Sequence, residues 1–211
     1  MVDIPILLEQ CAPQVAPSLM RALVHIESAW QPFAIGADAG QGSVTQPHSL
    51  EQAVVTARRL VDSGRSFSVG LAQVHVSNVL RSGLSWERAF DPCTNLSLGQ
   101  AILADFYRAA GRAGYVGDGA VRAALRGYNS GGIGRYVSEG YATNIIRHAD
   151  ASGKSALLRA NTAVLQLVPS ARSEMPGRRS SSGRSAESEA TDSRSQQASE
   201  IFEKAMPVPG F

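Results

Sequence analysis

The sequence predicts a mainly α-helical protein with at most a short β element, and three observations carry that prediction. Apolar residues recur at helical spacing in several separate segments, and one segment alone, residues 67–74, alternates weakly as a strand would. Aromatic residues are scarce, at 6% against a hydrophobic fraction of 44%, so Ala, Leu and Val must build the core, which suits packed helices with short loops. At 211 residues there is room for one domain with a proper core and an appendage. The predicted division is a folded domain over 1–168 and a tail over 169–211.

The first clear helix starts at Pro17, a favoured first helical residue, and is expected to end at Pro32. Its positions Met20, Leu23, Val24 and Glu27 follow the i, i+3, i+4, i+7 spacing of one face, so Glu27 stands where an apolar residue is expected. Residues 33–47 show no period and read as a loop. Ser49 and Gln52 then form a capping box for a helix whose stripe is Leu50, Ala53, Val54, Ala57, Leu60 and Val61, stopped by Gly64. Phe67 to Val74 reads as a short strand or extended loop, with Gly70 marking a close backbone approach.

After Pro92, Asn95 is expected to cap a helix presenting Leu96, Gly99, Leu103, Phe106 and Ala110 and closing at Gly111. Asp118 is expected to cap the next, with Val121, Ala124, Leu125 and Tyr128 on its inward stripe. Ser138 would cap a further helix bearing Tyr141, Ile145 and His148, and a last helical piece is expected from about Ser155 to Leu167. From Ser170 to Glu200 the chain is dominated by Ser, Arg, Glu, Ala and Gln, too little apolar surface to offset chain entropy, so this tail reads as disordered. The apolar end, Ile201 to Phe211, reads as a frayed terminus or a segment that docks on a partner.

Composition excludes several classes of function. A net charge of +2, spread evenly through the folded part, gives no footprint for nucleic acid. No apolar run approaches the roughly 20 residues of a membrane span, and the start, Met1 to Glu9, lacks the basic and apolar regions of an export signal. His25, His48, His75 and His148 make no metal-binding arrangement, so neither metal nor cofactor is expected. Ser28 and Ser130 lack the setting of a nucleophile, and Gly131-Gly132-Ile133-Gly134 lacks the strand and the Lys-Ser/Thr of a nucleotide loop. Cys11 and Cys93 are either one disulfide in an oxidising compartment or two buried thiols.

What remains is acid chemistry. An ionised carboxylate on an apolar face costs several kcal/mol of lost hydration, and the usual escape is a raised pKa that keeps the acid protonated and able to donate. Around Glu27 the sequence supplies Gly70-Leu71-Ala72-Gln73 and Gly127-Tyr128-Asn129-Ser130-Gly131, amides and a phenol beside glycines that let a ligand come close to the backbone. Glycoside cleavage normally uses two carboxylates, yet only Glu27 has a persuasive setting. Asp38 and Asp91 are the nearest candidates for a second, and they read equally as a turn residue and a helix-start residue.

Glu27-Ser28, Gly70-Leu71-Ala72-Gln73 and Gly127-Tyr128-Asn129-Ser130-Gly131, in that order, resemble the three motifs of the lytic transglycosylases with a goose-lysozyme-like fold. The resemblance is strongest to the branch associated with type IV secretion and conjugation. It takes in Gln10-Cys11-Ala12-Pro13 and Asp91 to Leu96, and spans roughly residues 8 to 150. It implies a lysozyme-like domain that cleaves the bond between N-acetylmuramic acid and N-acetylglucosamine in peptidoglycan, leaving a 1,6-anhydro end. It also implies roles. Glu27 would be the catalytic acid and then base; Gln73 would bind the sugar, Tyr128 would reach the Glu27 carboxyl or the acetamido group, Asn129 would fix the adjoining backbone, and Tyr141 matches a tyrosine placed after the third motif. Ser28 and Gly70 would support these from behind.

Two departures stand out: Ala72 where many relatives carry Met, which would thin a wall of the sugar site, and Gly36 where they carry Ser. The resemblance places the protein in the periplasm, acting on glycan strands, with the tail tethering it to secretion-system components. In that compartment a Cys11–Cys93 disulfide is favoured. Two other readings stay open: a hydrolytic muramidase using Asp38 or Asp91 to position water, and a non-catalytic wall-binding assembly factor.

Overall fold

The computed structural model describes residues 4–151. The helical piece expected over 155–167, the tail and the apolar end lie outside the described residues.

Helix α1, Ile4–Cys11, leads into α2, Pro17–Ser28, whose Met20, Leu23 and Val24 are fully buried, as the stripe requires. The α2 helix ends earlier than Pro32 suggests. Ala29 and Trp30 take φ values of 47° and 67°, and the Ala29 amide closes on the His25 carbonyl. A left-handed residue other than glycine costs about 1 kcal/mol or more, so the tertiary structure, not the proline, sets this end. Glu27 and Ser28 are left in the last turn.

The expected loop over 33–47 contains a strand. β1, Ile35–Ala37, pairs antiparallel with β2, Phe67–Val69, which pairs with β3, Val74–His75, in register Ile35↔Val69 and Val69↔Val74. Three residues are too short for a period to be visible, and pairing partners thirty residues away leave no local trace. Between β1 and β2 runs α3, Leu50–Asp62, with the Ser49 hydroxyl accepting from the Gln52 amide. Two short helices follow the sheet, α4 (Val76–Arg81) and α5 (Trp86–Ala89).

α6, Pro92–Arg112, is the longest helix among the described residues and packs against α7, Gly117–Ser130. Its cap is Asp91, whose Oδ1 accepts from the Thr94 amide at 2.9 Å, not Asn95, which is a full turn inside and 1% exposed. The expected cap at Asp118 is also displaced. α7 starts at Gly117 with Val116 in the capping position and no side-chain bond, and Asp118 serves only as an acid in the first turn, favourable to the helix dipole. A 3₁₀ turn, Tyr136–Ser138, then opens into helix α8 over 139–151.

The core forms where α1, α2, α3 and α6 meet the inner face of the small sheet, with Phe67, Phe90, Leu96 and Leu103 among its largest buried side chains. Cys11 and Cys93 are joined in a disulfide, with Cα atoms 5.0 Å apart, and the Ser97 hydroxyl donates to the Cys11 carbonyl at 2.7 Å. The end of α1 is thereby fixed to the start of α6. Among the described residues no helix is long and apolar enough to cross a membrane, and no group of three or more His, Cys, Asp or Glu could hold a metal ion.

Candidate active site

The end of α2 is bound to the β2–β3 turn through Ser28. Its hydroxyl, 8% exposed, lies 2.8 Å from the Leu71 carbonyl and 3.1 Å from the Val24 carbonyl, so it couples the Glu27 turn to the Gly70–Gln73 segment. That segment needs its glycine. Gly70 has φ of 78°, and a Cβ there would come within 2.3 Å of the Asn95 carboxamide.

Asn95, misread as a cap, is the bracket for this turn. Its Oδ1 accepts from the Ala72 amide at 2.7 Å, and its Nδ2 donates to the Val69 and Ala89 carbonyls at 3.0 and 2.9 Å. A buried carboxamide with both ends satisfied is an ordered and costly thing to disturb. The signal available in sequence was an Asn beside Leu96 on the inward side of a helix already started by Asp91-Pro92.

Gln73 sits at φ of 45° with its side chain folded back: Nε2 donates to the Ala34 carbonyl at 3.1 Å and the Gly70 carbonyl at 2.9 Å. Its amide protons are thus committed, and Oε1 is the atom it can offer to a ligand. Tyr128, in the last turn of α7, donates its hydroxyl to the Ala72 carbonyl at 2.6 Å. Asn129 Nδ2 donates to the buried Ser138 hydroxyl at 2.9 Å, tying α7 to the 3₁₀ turn.

Glu27 is met by Tyr141, which reaches across from α8 and donates its hydroxyl to Oε1 of the carboxyl. Of the two tyrosines, Tyr141 and not Tyr128 therefore makes the direct bond. Burial pushes the Glu27 pKa up to about 7, and the bond from Tyr141 opposes this by favouring the ionised form. Both phenols are raised well above their ordinary value, first by burial and then by the Glu27 charge, so both stay protonated as donors.

A cleft of about 1010 Å³ opens beside this group, lined by Gln73, Tyr128 and Asn129 on one side and by Asp38, His75 and Arg81 on another. Glu27 does not line it, but Tyr128, which does, lies near enough to feel the Glu27 charge. Asp38 is held in the cleft wall, its Oδ2 accepting from the Ser66 hydroxyl at 2.6 Å and lying 3.3 Å from His75 Nε2. Asp91 is absent from the cleft wall and is occupied as the α6 cap. The arrangement is one buried carboxyl with a raised pKa, two fixed phenols and a folded carboxamide beside an open groove.

The family model described as the transglycosylase SLT domain matches residues 5–145. The chain belongs to the transglycosylase SLT family. It is accordingly a lytic transglycosylase, in agreement with the motifs around Glu27, Gln73 and Tyr128. The type IV secretion system protein virB1 of Brucella suis is 41% identical over 73% of this chain and 67% of its own length. Its counterpart in Brucella abortus is 40% identical over the same shares. Protein virB1 of Agrobacterium fabrum is 30% identical over 76% of this chain and 58% of its own length. No solved structure matches the chain significantly.

The place of Ala72 in the packing is defined by its neighbours. Ala72 is fully buried, and its Cβ sits 2.6 Å from where a Cβ on Gly99 of α6 would lie, with the Met20 Cε close by. The Ala72 side chain is part of the core. A small residue at 72 faces a glycine at 99, and Met20 from α2 supplies the bulk.

Proposed function

We propose that this SLT-family enzyme cleaves the bond between N-acetylmuramic acid and N-acetylglucosamine with Glu27 as its single acid and base, leaving a 1,6-anhydro-muramyl end. Glu27 gives its proton to the glycosidic oxygen as the bond to C1 breaks. The 2-acetamido carbonyl of the substrate supports the cationic centre. The carboxylate then takes the proton of the C6 hydroxyl as O6 closes on C1, so no water is consumed and Glu27 ends as it began. A carboxyl titrating near 7 suits both halves, because neither its protonated nor its ionised form is far out of reach at neutral pH.

The observation that carries this reading is the shielded Glu27 carboxyl under the Tyr141 hydroxyl. Gln73 Oε1 would accept from the bound sugar, Tyr128 would bear on the developing charge, and Asn129 would keep α7 and the 3₁₀ turn in register. The names of the virB1 relatives support a setting in type IV secretion, in which the enzyme opens the periplasmic wall locally for the assembling complex and the tail over 169–211 tethers it there.

Mass spectrometry of muropeptides released from purified sacculi tests the chemistry. Anhydro-muramyl ends from the wild type and none from Glu27→Gln are expected. A second reading has one observation in its favour, the place of Asp38 in the cleft wall, where it could position water. Reducing ends would establish that reading in place of the first. Secretion preserved in a folded Glu27→Gln protein would instead make the chain an assembly factor.

A further inference from the structure

The helix that delivers Tyr141 is anchored by an ion pair that the three motifs do not include. Arg126 lies on α7 two residues before Tyr128, and its side chain is only 4% exposed. Its Nη1 donates to Glu139 Oε2 at 2.7 Å, its Nε donates to the Ile133 carbonyl at 2.9 Å, and its guanidinium lies 4.4 Å from the centre of the Tyr136 ring. Arg122, one turn earlier on α7, takes the other carboxylate oxygen: Nη1 is 3.0 Å from Glu139 Oε1 and 3.0 Å from Thr143 Oγ1. Glu139 is the first residue of α8, and Tyr141 follows two residues later.

We propose that Arg126 and Glu139 are positioning residues for the reaction, their ion pair fixing the first turn of α8 so that the Tyr141 hydroxyl meets the carboxyl of Glu27. The Glu139 carboxylate is half-exposed but Arg126 is buried, so the pair both neutralises a buried charge and fixes the geometry of the helix start. Two arginines from α7 grip both oxygens of one carboxylate, a forked arrangement that sets the direction as well as the distance of the helix start. α7 also carries Tyr128 and Asn129. One rigid element therefore sets both tyrosines relative to each other, and through them the environment of Glu27.

The side chain that acts on Glu27 is Tyr141 from α8, while Tyr128 from α7 lies near enough to feel the Glu27 charge. The bond from Tyr141 favours the ionised acid, so losing that bond while α8 still covers the carboxyl lets the Glu27 pKa rise further. Glu139 itself is held below the usual carboxylate range, first by the bond from Arg126, and stays ionised throughout the pH range of interest.

The inference rests on the reading of Glu27 as the acid, and the test separates the two. The pH profile of kcat and KM is measured on soluble glycan strands for the wild type, Tyr141→Phe, Glu139→Gln and their double variant. Glu139→Gln is expected to move the alkaline limb upward by about one pH unit and lower kcat about ten- to a hundredfold, with KM little changed. In the Tyr141→Phe background it should add nothing. A limb that stays in place, or losses that multiply in the double variant, would overturn the proposal while leaving Glu27 as the acid. Activity in Glu27→Gln would instead overturn the reading beneath it. Should Glu139→Gln fail to fold, Arg122→Gln, which loosens the same turn from a half-exposed side chain, carries the same test with the same outcomes.

Discussion

Tyr141 donates a hydrogen bond to Glu27 across 114 residues of chain, and that contact opposes the effect of burial on the same carboxyl. With Glu27 as the proposed acid, lytic activity should be full well below pH 7 and fall as pH rises through about 7. Stability follows the same sign. A carboxyl whose folded pKa lies above its unfolded value binds more protons when folded, so its contribution is intact below about 4.5 and is lost as pH rises toward 7. Glu27→Gln should therefore be inactive and yet, at pH 8, more stable than the wild type by about 1–2 kcal/mol. Thermal unfolding at pH 5 and pH 8 checks this, and equal gains at both pH values would contradict it.

Gly70 and Asn95 give a second prediction. Gly70→Ala meets two penalties: a left-handed backbone, about 1–2 kcal/mol, and a Cβ 2.3 Å from the Asn95 carboxamide, which holds the Ala72 amide and the Val69 and Ala89 carbonyls. Gly64→Ala has the same kind of φ, 67°, with nothing within 4 Å of the new atom. Urea unfolding should show Gly70→Ala costing about 3 kcal/mol or more and Gly64→Ala no more than the backbone penalty. The two substitutions costing the same would remove Asn95 from the account.

The legibility of this site in the sequence follows from how local each feature is. Glu27 shows itself because an acid interrupts a helical stripe, and Gly70 because a glycine sits among residues that otherwise extend. Ser49 and Gln52 declare a helix start within four residues. Asn95 is misread because a capping residue and a buried bracket have the same chemistry, and only the three-dimensional path of the β2–β3 turn tells them apart. β1 is too short to carry a period. The grip of Arg126 and Arg122 on Glu139, like the bond from Tyr141 to Glu27, joins residues on different helices, and helical spacing does not encode which of two polar side chains will meet.

The Cys11–Cys93 bond closes a loop of 82 residues between α1 and α6, and its loss should cost about 2–5 kcal/mol. At roughly 2–4 °C per kcal/mol for a domain of this size, the melting temperature should drop by about 4–20 °C when the bond is reduced or both cysteines are replaced by Ser. The Glu27 region should keep its pH dependence, since its carboxyl is bonded by Tyr141 from α8 and not by α1 or the start of α6. A melting temperature unmoved by reductant would show that α1 is held by its packing and by the Ser97 and Gln100 contacts alone.

Gly36 and Gln73 set the last prediction. A Cβ on Gly36 would lie 2.6 Å from Gln73 Oε1, so the folded pose of Gln73, with both amide protons on the Ala34 and Gly70 carbonyls, depends on the absence of a side chain at 36. Gly36 has no left-handed φ, and the atom in the way is the end of a flexible chain, so Gly36→Ser should fold with a stability within about 1 kcal/mol of the wild type. Gln73 must then swing out, releasing its amide protons and withdrawing a fixed acceptor from the cleft. Binding energy lost equally from the ground and transition states appears in KM. Glycan-strand kinetics should accordingly show KM raised several-fold and kcat nearly unchanged, whereas a fall in kcat at constant KM would mean that Gln73 acts on the reacting centre itself.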